Sequence, residues 1–72
     1  MTTFTIVTRP GCIWCDRAKA LLEEHEVTFT TVEFNEGMGP LFLTLGMTTV
    51  PQVWRNKQHI GGYEALKEFL EQ

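Results

Sequence analysis

Cysteine is scarce in this chain, and the two copies stand close together. Among 72 residues, cysteine occurs only at Cys12 and Cys15. Small secreted domains usually compensate for a small core with several disulfides. A bridge across so few positions closes a minimal loop and adds little stability. The pair is therefore predicted to be chemical rather than structural.

Long apolar runs and an excess of basic residues are also missing. No stretch approaches the ~20 apolar residues of a membrane span, and the N-terminus lacks a basic start followed by an apolar run. Nine acidic and six basic residues give a net charge of -3, without the basic stripe that phosphate backbones require. We therefore expect one cytoplasmic domain, residues 1–72, that binds neither membranes nor nucleic acid.

The hydrophobic pattern predicts an α/β domain with the element order β-α-β-α-β-β-α. Alternating stretches predict strands, apolar residues at helical spacing predict helices, and Pro or Gly marks several of the ends. The second helix is bracketed by Pro40 and Gly46. The predicted elements cover residues 4–8, 13–25, 27–34, 41–45, 52–55, 58–60 and a final helix from residue 63.

The cysteines follow the first strand and open the first helix. Residues three apart in a helix have Cα atoms about 5 to 6 Å apart, within the range that a disulfide accepts. The partial positive charge at a helix N-terminus favours the reactive thiolate, and Arg9 adds a full charge nearby. We predict that Cys12 is the catalytic nucleophile and that Cys15, on the apolar face, is the resolving thiol.

Two other interpretations of the cysteines are open at this point. The histidines His25 and His59 could complete a zinc site, although 33 residues separate them where zinc motifs use about three to five. The cysteines could also be ordinary buried residues. The separation of the histidines disfavours zinc, so no metal site is predicted, and two incidental buried cysteines at this spacing after a strand-turn signal are the less favoured interpretation. His25 is expected at a helix end and His59 on a strand surface.

Three segments together resemble the glutaredoxins: RPGCIWC at 9–15, TTVPQV at 48–53 and HIGGYE at 59–64. The resemblance spans nearly the whole chain. It implies the minimal thioredoxin fold, with a four-stranded mixed sheet flanked by three helices, and a cis bond between Val50 and Pro51. It also implies a glutathione-disulfide oxidoreductase of electron transport and cell redox homeostasis. Protein disulfides or glutathione mixed disulfides would be reduced, with glutathione as electron-donating co-substrate and no tightly bound cofactor.

The same resemblance implies where glutathione binds. The Val50 main chain would pair with its cysteinyl part as a strand does, and N–H groups at the start of the last helix would bind a carboxylate. The Arg9 guanidinium would meet the other carboxylate. The full predicted set is Arg9, Trp14, Thr49, Val50, Pro51, Gly62, Tyr63 and Glu64.

Several positions depart from the family pattern. Ile13 and Trp14 replace the usual Pro-Tyr between the cysteines, and the indole is expected on the surface beside the active site. Met47 stands where many members carry Arg or Gln for a glutathione carboxylate. Glu64 replaces the common Asp, which changes reach rather than charge.

Two alternative functions share these residues. One is a hydrogen donor for ribonucleotide reductase that thioredoxin reductase reduces. The other is not an enzyme: a dimer could hold an iron-sulfur cluster through Cys12 of each subunit and two glutathiones. Ile13 argues against the second alternative, because cluster-binding members usually have Gly or Ser after the first cysteine. A monomer is therefore expected.

Overall fold

The computed structural model describes residues 2–72, and its seven main elements follow the predicted order. The strands are β1 (Phe4–Thr8), β2 (Phe29–Glu33), β3 (Gln52–Arg55) and β4 (Gln58–Gly61). The helices are α1 (Ile13–Glu24), α2 (Gly39–Thr44) and α3 (Tyr63–Leu70). The predicted α/β class is therefore confirmed.

The four strands form one mixed sheet in the order β2-β1-β3-β4. β1 pairs with β2 in parallel, with Phe4 opposite Phe29, and with β3 in antiparallel orientation, with Phe4 opposite Arg55. β3 and β4 form an antiparallel hairpin whose register shifts between Val53 and Trp54. Because β1 is an inner strand, the turn that follows its C-terminal end lies between neighbouring strands and not at the side of the sheet.

Several predicted ends need correction. β2 starts at Phe29 instead of Val27, because the Val27 N–H bonds back to Leu22 O at 3.0 Å in the turn after α1. α2 begins at Gly39 and ends at Thr44, after a 3-10 turn at Glu36–Met38 that the sequence pattern did not indicate. α1 ends one residue before His25, which caps it, and β4 continues through Gly61.

Alternation along β1 divides the core between the two faces of the sheet, since successive side chains point to opposite sides. The helix-side core lies under α1 and α3 and contains Phe4, Ile6, Ala18, Leu21, Leu22, Val53 and Leu66. The α2-side core contains only Val7, Phe42 and Met47 as buried members. Three leucines of the α2 segment, Leu41, Leu43 and Leu45, remain exposed.

The bend between β1 and α1 positions the first cysteine. Gly11 has a φ of 73°, in the left-handed region that glycine adopts without a steric penalty. The chain therefore turns sharply, and Cys12 becomes the N-cap of α1. Across residues 2–72, the structure contains no helix with the length and apolar character needed to cross a membrane.

Candidate functional site

The two cysteines form a disulfide at the start of α1. Their Cα atoms are 5.2 Å apart, as predicted for residues one turn apart. Cys12 caps the helix with its side chain: the Cys15 N–H points at Cys12 Sγ, at an N to S distance of 3.1 Å. After reduction, the same N–H and the helix dipole would stabilise a thiolate at Cys12.

The two sulfurs differ in accessibility. Cys12 is half-buried at the helix start, whereas Cys15 is 0% exposed on the face of α1 that carries Ala18 and Leu22. An incoming disulfide can therefore approach Cys12 and cannot approach Cys15 directly. This asymmetry fits the predicted division into an attacking and a resolving thiol.

The segment before β3 faces the dithiol. The Val50–Pro51 peptide bond is cis, and Val50 O lies 3.8 Å from Cys12 Sγ. A groove of about 350 Å³ runs beside this contact, and its lining residues are Trp14, Thr49, Val50, Pro51, Gly62, Tyr63 and Glu64. We call it the main groove. It brings together seven of the eight residues predicted to bind glutathione.

Arg9, the eighth residue, lies in an adjacent hollow. This hollow has a volume of about 160 Å³ and is lined by Arg9, Phe34, Phe42, Met47, Thr48, Thr49 and Val50. We call it the Arg9 hollow. The Arg9 guanidinium carbon is 5.9 Å from the centre of the Phe34 ring. The hollow and the main groove share Thr49 and Val50, so one extended ligand can contact both.

Trp14 forms one wall of the main groove and is 46% exposed, as expected for a surface aromatic. Its ring lies 5.3 Å from the ring of Tyr63, and the Arg17 guanidinium carbon is 4.6 Å from the indole centroid on α1. The sequence did not single out Arg17. Its spacing of three residues from Trp14 on a helix was the available signal.

The N-terminus of α3 also lines the main groove, next to Trp14. The first N–H groups of an α-helix have no intrahelical partner, and the N-cap residue Gly62 has no side chain that could accept from them here. Glu64 lies in the first turn and is exposed. This end therefore offers N–H donors to an anion together with one carboxylate that repels it.

Met47 is a core residue in the structure. It is buried against Val7 and Phe42 and also borders the Arg9 hollow. The position at which many glutaredoxins carry Arg or Gln therefore supplies apolar surface here, and no polar contact.

A contact between two polar residues near the groove was not predicted from the sequence. Gln52 is one of two buried polar side chains in the described part of the chain. Its amide bonds to Thr49 O and faces His59 on β4. His59 is on a strand surface, as expected, but it also makes this contact. Among residues 2–72, no three His, Cys, Asp or Glu side chains converge as a metal site.

Comparison with known proteins identifies relatives that match most of the chain. The glutaredoxin family model matches residues 4–60. Glutaredoxin 3 of Escherichia coli K12 is 36% identical over 69 residues, which cover 92% of this chain and 83% of that protein. The hybrid peroxiredoxin hyPrx5 of Haemophilus influenzae is 33% identical over 94% of this chain, and the chain spans only 29% of its length.

Solved structures show the same architecture. Glutaredoxin 1 of Francisella tularensis, complexed with cacodylate, has a TM-score of 0.82 and 27% identity, with 99% of this chain and 94% of that chain covered. Buckwheat glutaredoxin in complex with glutathione has a TM-score of 0.81 and 25% identity, over 93% and 66% of the respective chains. The predicted thioredoxin-type fold is confirmed.

Proposed function

Because the chain belongs to the glutaredoxin family, we propose that it is a glutathione-dependent thiol-disulfide oxidoreductase acting through Cys12. The observation that carries the proposal is the position of Cys12. It is half-buried at a helix N-terminus, beside a groove lined by the exposed main chain around Val50, while its partner Cys15 is fully buried. The solved complex of a buckwheat relative with glutathione supports this ligand.

The residues that line the two cavities support a tripeptide with a carboxylate at each end. The middle of such a ligand would pair with the Val50 main chain, which places its sulfur next to Cys12. One carboxylate would meet the N–H groups at the start of α3. The other would reach Arg9 in the neighbouring hollow. Trp14 and Tyr63 would close one side with their paired rings.

Reduction of a glutathione mixed disulfide needs only Cys12. Its thiolate attacks the glutathionyl sulfur, the S–S bond breaks, and the target protein leaves as a thiolate that takes up a proton. A second glutathione thiolate then attacks the new mixed disulfide, which releases oxidised glutathione and regenerates the Cys12 thiolate. Oxidised glutathione therefore contains the glutathionyl group of the substrate and one free glutathione, so each turnover consumes one free glutathione.

Reduction of a protein disulfide also uses Cys15. The Cys12 thiolate first forms a mixed disulfide with the target, and the Cys15 thiolate then attacks Cys12 Sγ. The target leaves with both sulfurs reduced, and the bond between Cys12 and Cys15 forms. The disulfide in the structure corresponds to this product, and glutathione would return it to the dithiol.

The first experiment is a coupled assay with NADPH consumption as the readout. Turnover of a small glutathione mixed disulfide is measured separately with glutathione plus glutathione reductase and with thioredoxin reductase. We expect turnover with glutathione. Turnover with thioredoxin reductase alone would replace this proposal with the ribonucleotide reductase hydrogen donor.

Two cysteine variants test the assigned roles. Cys12→Ser should abolish reduction of both substrate classes, because no accessible sulfur remains. Cys15→Ser should retain mixed-disulfide reduction and lose most protein-disulfide reduction. An inactive Cys15→Ser protein beside an active Cys12→Ser protein would reverse the two roles.

The proposal also includes a cytoplasmic monomer. Glutathione maintains thiols in the cytoplasm in the reduced state that the reaction needs. The proposed reaction needs only the two cysteines and the groove residues of one copy. Size-exclusion chromatography of the reduced protein should give a mass near 8.3 kDa, and a dimer mass would contradict this part.

A further inference from the structure

A polar network connects the far edge of the sheet to the groove. Gln52 directly follows Pro51 at the start of β3 and is only 7% exposed. Its side chain folds back over the cis peptide, and its Nε2 donates to Thr49 O at 3.0 Å. Its Oε1 lies 2.7 Å from Nε2 of His59 on β4. The amide therefore joins the segment before β3 to the neighbouring strand β4.

The chemistry of the groups fixes the direction of both bonds. A carbonyl oxygen only accepts, so the amide nitrogen of Gln52 must face Thr49 and its oxygen must face His59. The His59 Nε2 must therefore carry a proton. Both the neutral Nε2–H tautomer and the doubly protonated ring supply this donor, whereas the Nδ1–H tautomer does not.

The register of the β3–β4 hairpin brings the two side chains together. Val53 is opposite Gly61 and Trp54 is opposite His59, so β4 contains one extra residue at this point. Such an irregularity redirects side chains. His59 consequently shares the face of Trp54, whose ring centroid is 4.9 Å away. Gln52, two residues before Trp54, is on the same face.

Thr49, whose carbonyl accepts the hydrogen bond from Gln52, belongs to both cavities. Thr49 lines the main groove and the Arg9 hollow, and Val50 O approaches Cys12 Sγ. We propose that Gln52, held by His59, is a positioning residue that keeps the main chain at Thr49 and Val50 in its substrate-binding form. The inference rests on the proposed function, because that function gives the groove its substrate.

Variants that separate shape from hydrogen bonding test the inference. Gln52→Met keeps a long unbranched side chain and removes both polar atoms. His59→Phe keeps a ring against Trp54 and removes the donor, whereas His59→Gln keeps an N–H at the same number of bonds from Cβ. The substrate is the mixed disulfide of glutathione and 2-mercaptoethanol. Loss of a hydrogen bond should raise KM about 3- to 10-fold in Gln52→Met, with kcat changed less than about twofold.

The two histidine variants decide whether the donor matters. His59→Phe should raise KM about 2- to 5-fold, and His59→Gln should restore it to near the wild-type value. Ile6→Val is the matched control, because Ile6 is opposite Val53 on the neighbouring strand but its buried side chain lies in the helix-side core, on the other face of the sheet from Gln52 and His59. It should lower the melting temperature without changing KM. Equal KM values for wild type and Gln52→Met, or failure of His59→Gln to rescue, would overturn the inference.

A readout independent of turnover distinguishes this inference from the proposed function. The Val50 amide shares a peptide unit with the Thr49 carbonyl, so its 15N shift reports the bond from Gln52. The shift should move in Gln52→Met and His59→Phe and stay close to wild type in His59→Gln. Wild-type protein without turnover would refute the glutathione proposal alone, whereas an unmoved Val50 shift in Gln52→Met would refute the network.

Discussion

The two faces of the sheet are covered unequally. On one face, α1 and α3, with twelve and eight residues, pack on the sheet in a core of seven buried apolar side chains. On the other face, the six-residue α2 packs in a core of three buried apolar side chains, and its Leu43 is 83% exposed. Burial of apolar surface is the main stabilising contribution to folding. The helix-side core is therefore expected to supply most of the stability, and the thinner cover on the other face leaves space for the Arg9 hollow.

The largest effect should come from Leu22→Ala in the helix-side core. Leu22 is 0% exposed, and removing its side chain should cost about 2 to 5 kcal/mol of unfolding free energy. Urea unfolding followed by circular dichroism measures the change. If the variant does not fold, Ile6→Val provides a milder truncation, with an expected loss of about 0.5 to 1.5 kcal/mol. Losses near zero for both would show that this face is not the main source of stability.

A smaller loss is expected from Met47→Ala in the α2-side core. Met47 is buried but borders the open Arg9 hollow, so water can reach part of the space that its side chain leaves. The cost should therefore be about 2 kcal/mol, at the lower end of the range for such truncations. The same urea titration measures it. A loss equal to that of Leu22→Ala would remove the difference between the two faces.

Arg9→Ala should affect binding instead of stability. Arg9 is exposed and lines the hollow, where its guanidinium is proposed to meet a carboxylate. We expect the KM for a glutathione mixed disulfide to rise about fivefold, since solvent screening leaves about 1 kcal/mol for this contact. Lys57→Ala, in the β3–β4 turn, removes the same charge far from the groove and should leave KM unchanged. Equal effects of the two variants would mean that only net charge matters.

The smallest effect should come from Leu43→Ala on the outer side of α2. Leu43 has little contact to lose, so the unfolding free energy should change by less than about 0.5 kcal/mol. Urea unfolding beside Met47→Ala gives a direct comparison within one face. A loss above about 1.5 kcal/mol would place Leu43 in a packed interface.

The sequence predicted the parts of the fold that depend on local pattern. The bounds of β1 and β3 agree with the structure, because β-branched and apolar residues alternate there between clear turn signals. The 3-10 turn at Glu36–Met38 was missed because a single turn contains too few residues to show a period. It precedes α2 directly, which also explains why the start of that helix was placed too late.

The candidate site, like the fold, was predicted from the sequence only in part. The place of Cys12 and Cys15 at a helix start followed from the strand-turn-helix pattern, and the groove residues followed from the family resemblance. The contact between the side chains of Gln52 and His59 could not be predicted, because it depends on a register shift in the hairpin that no residue pattern indicates. Arg9 was placed with the other residues, whereas the structure puts it in a separate hollow.

The proximity of Cys15 to Cys12 would also limit oxidative damage to Cys12. Peroxide reaching Cys12 would convert its thiolate to a sulfenic acid, which further peroxide oxidises irreversibly. With the two Cα atoms 5.2 Å apart, the Cys15 thiol can condense with that sulfenic acid and expel water. The product is the disulfide already present in the structure, and the proposed reaction with glutathione would reduce it back to the dithiol.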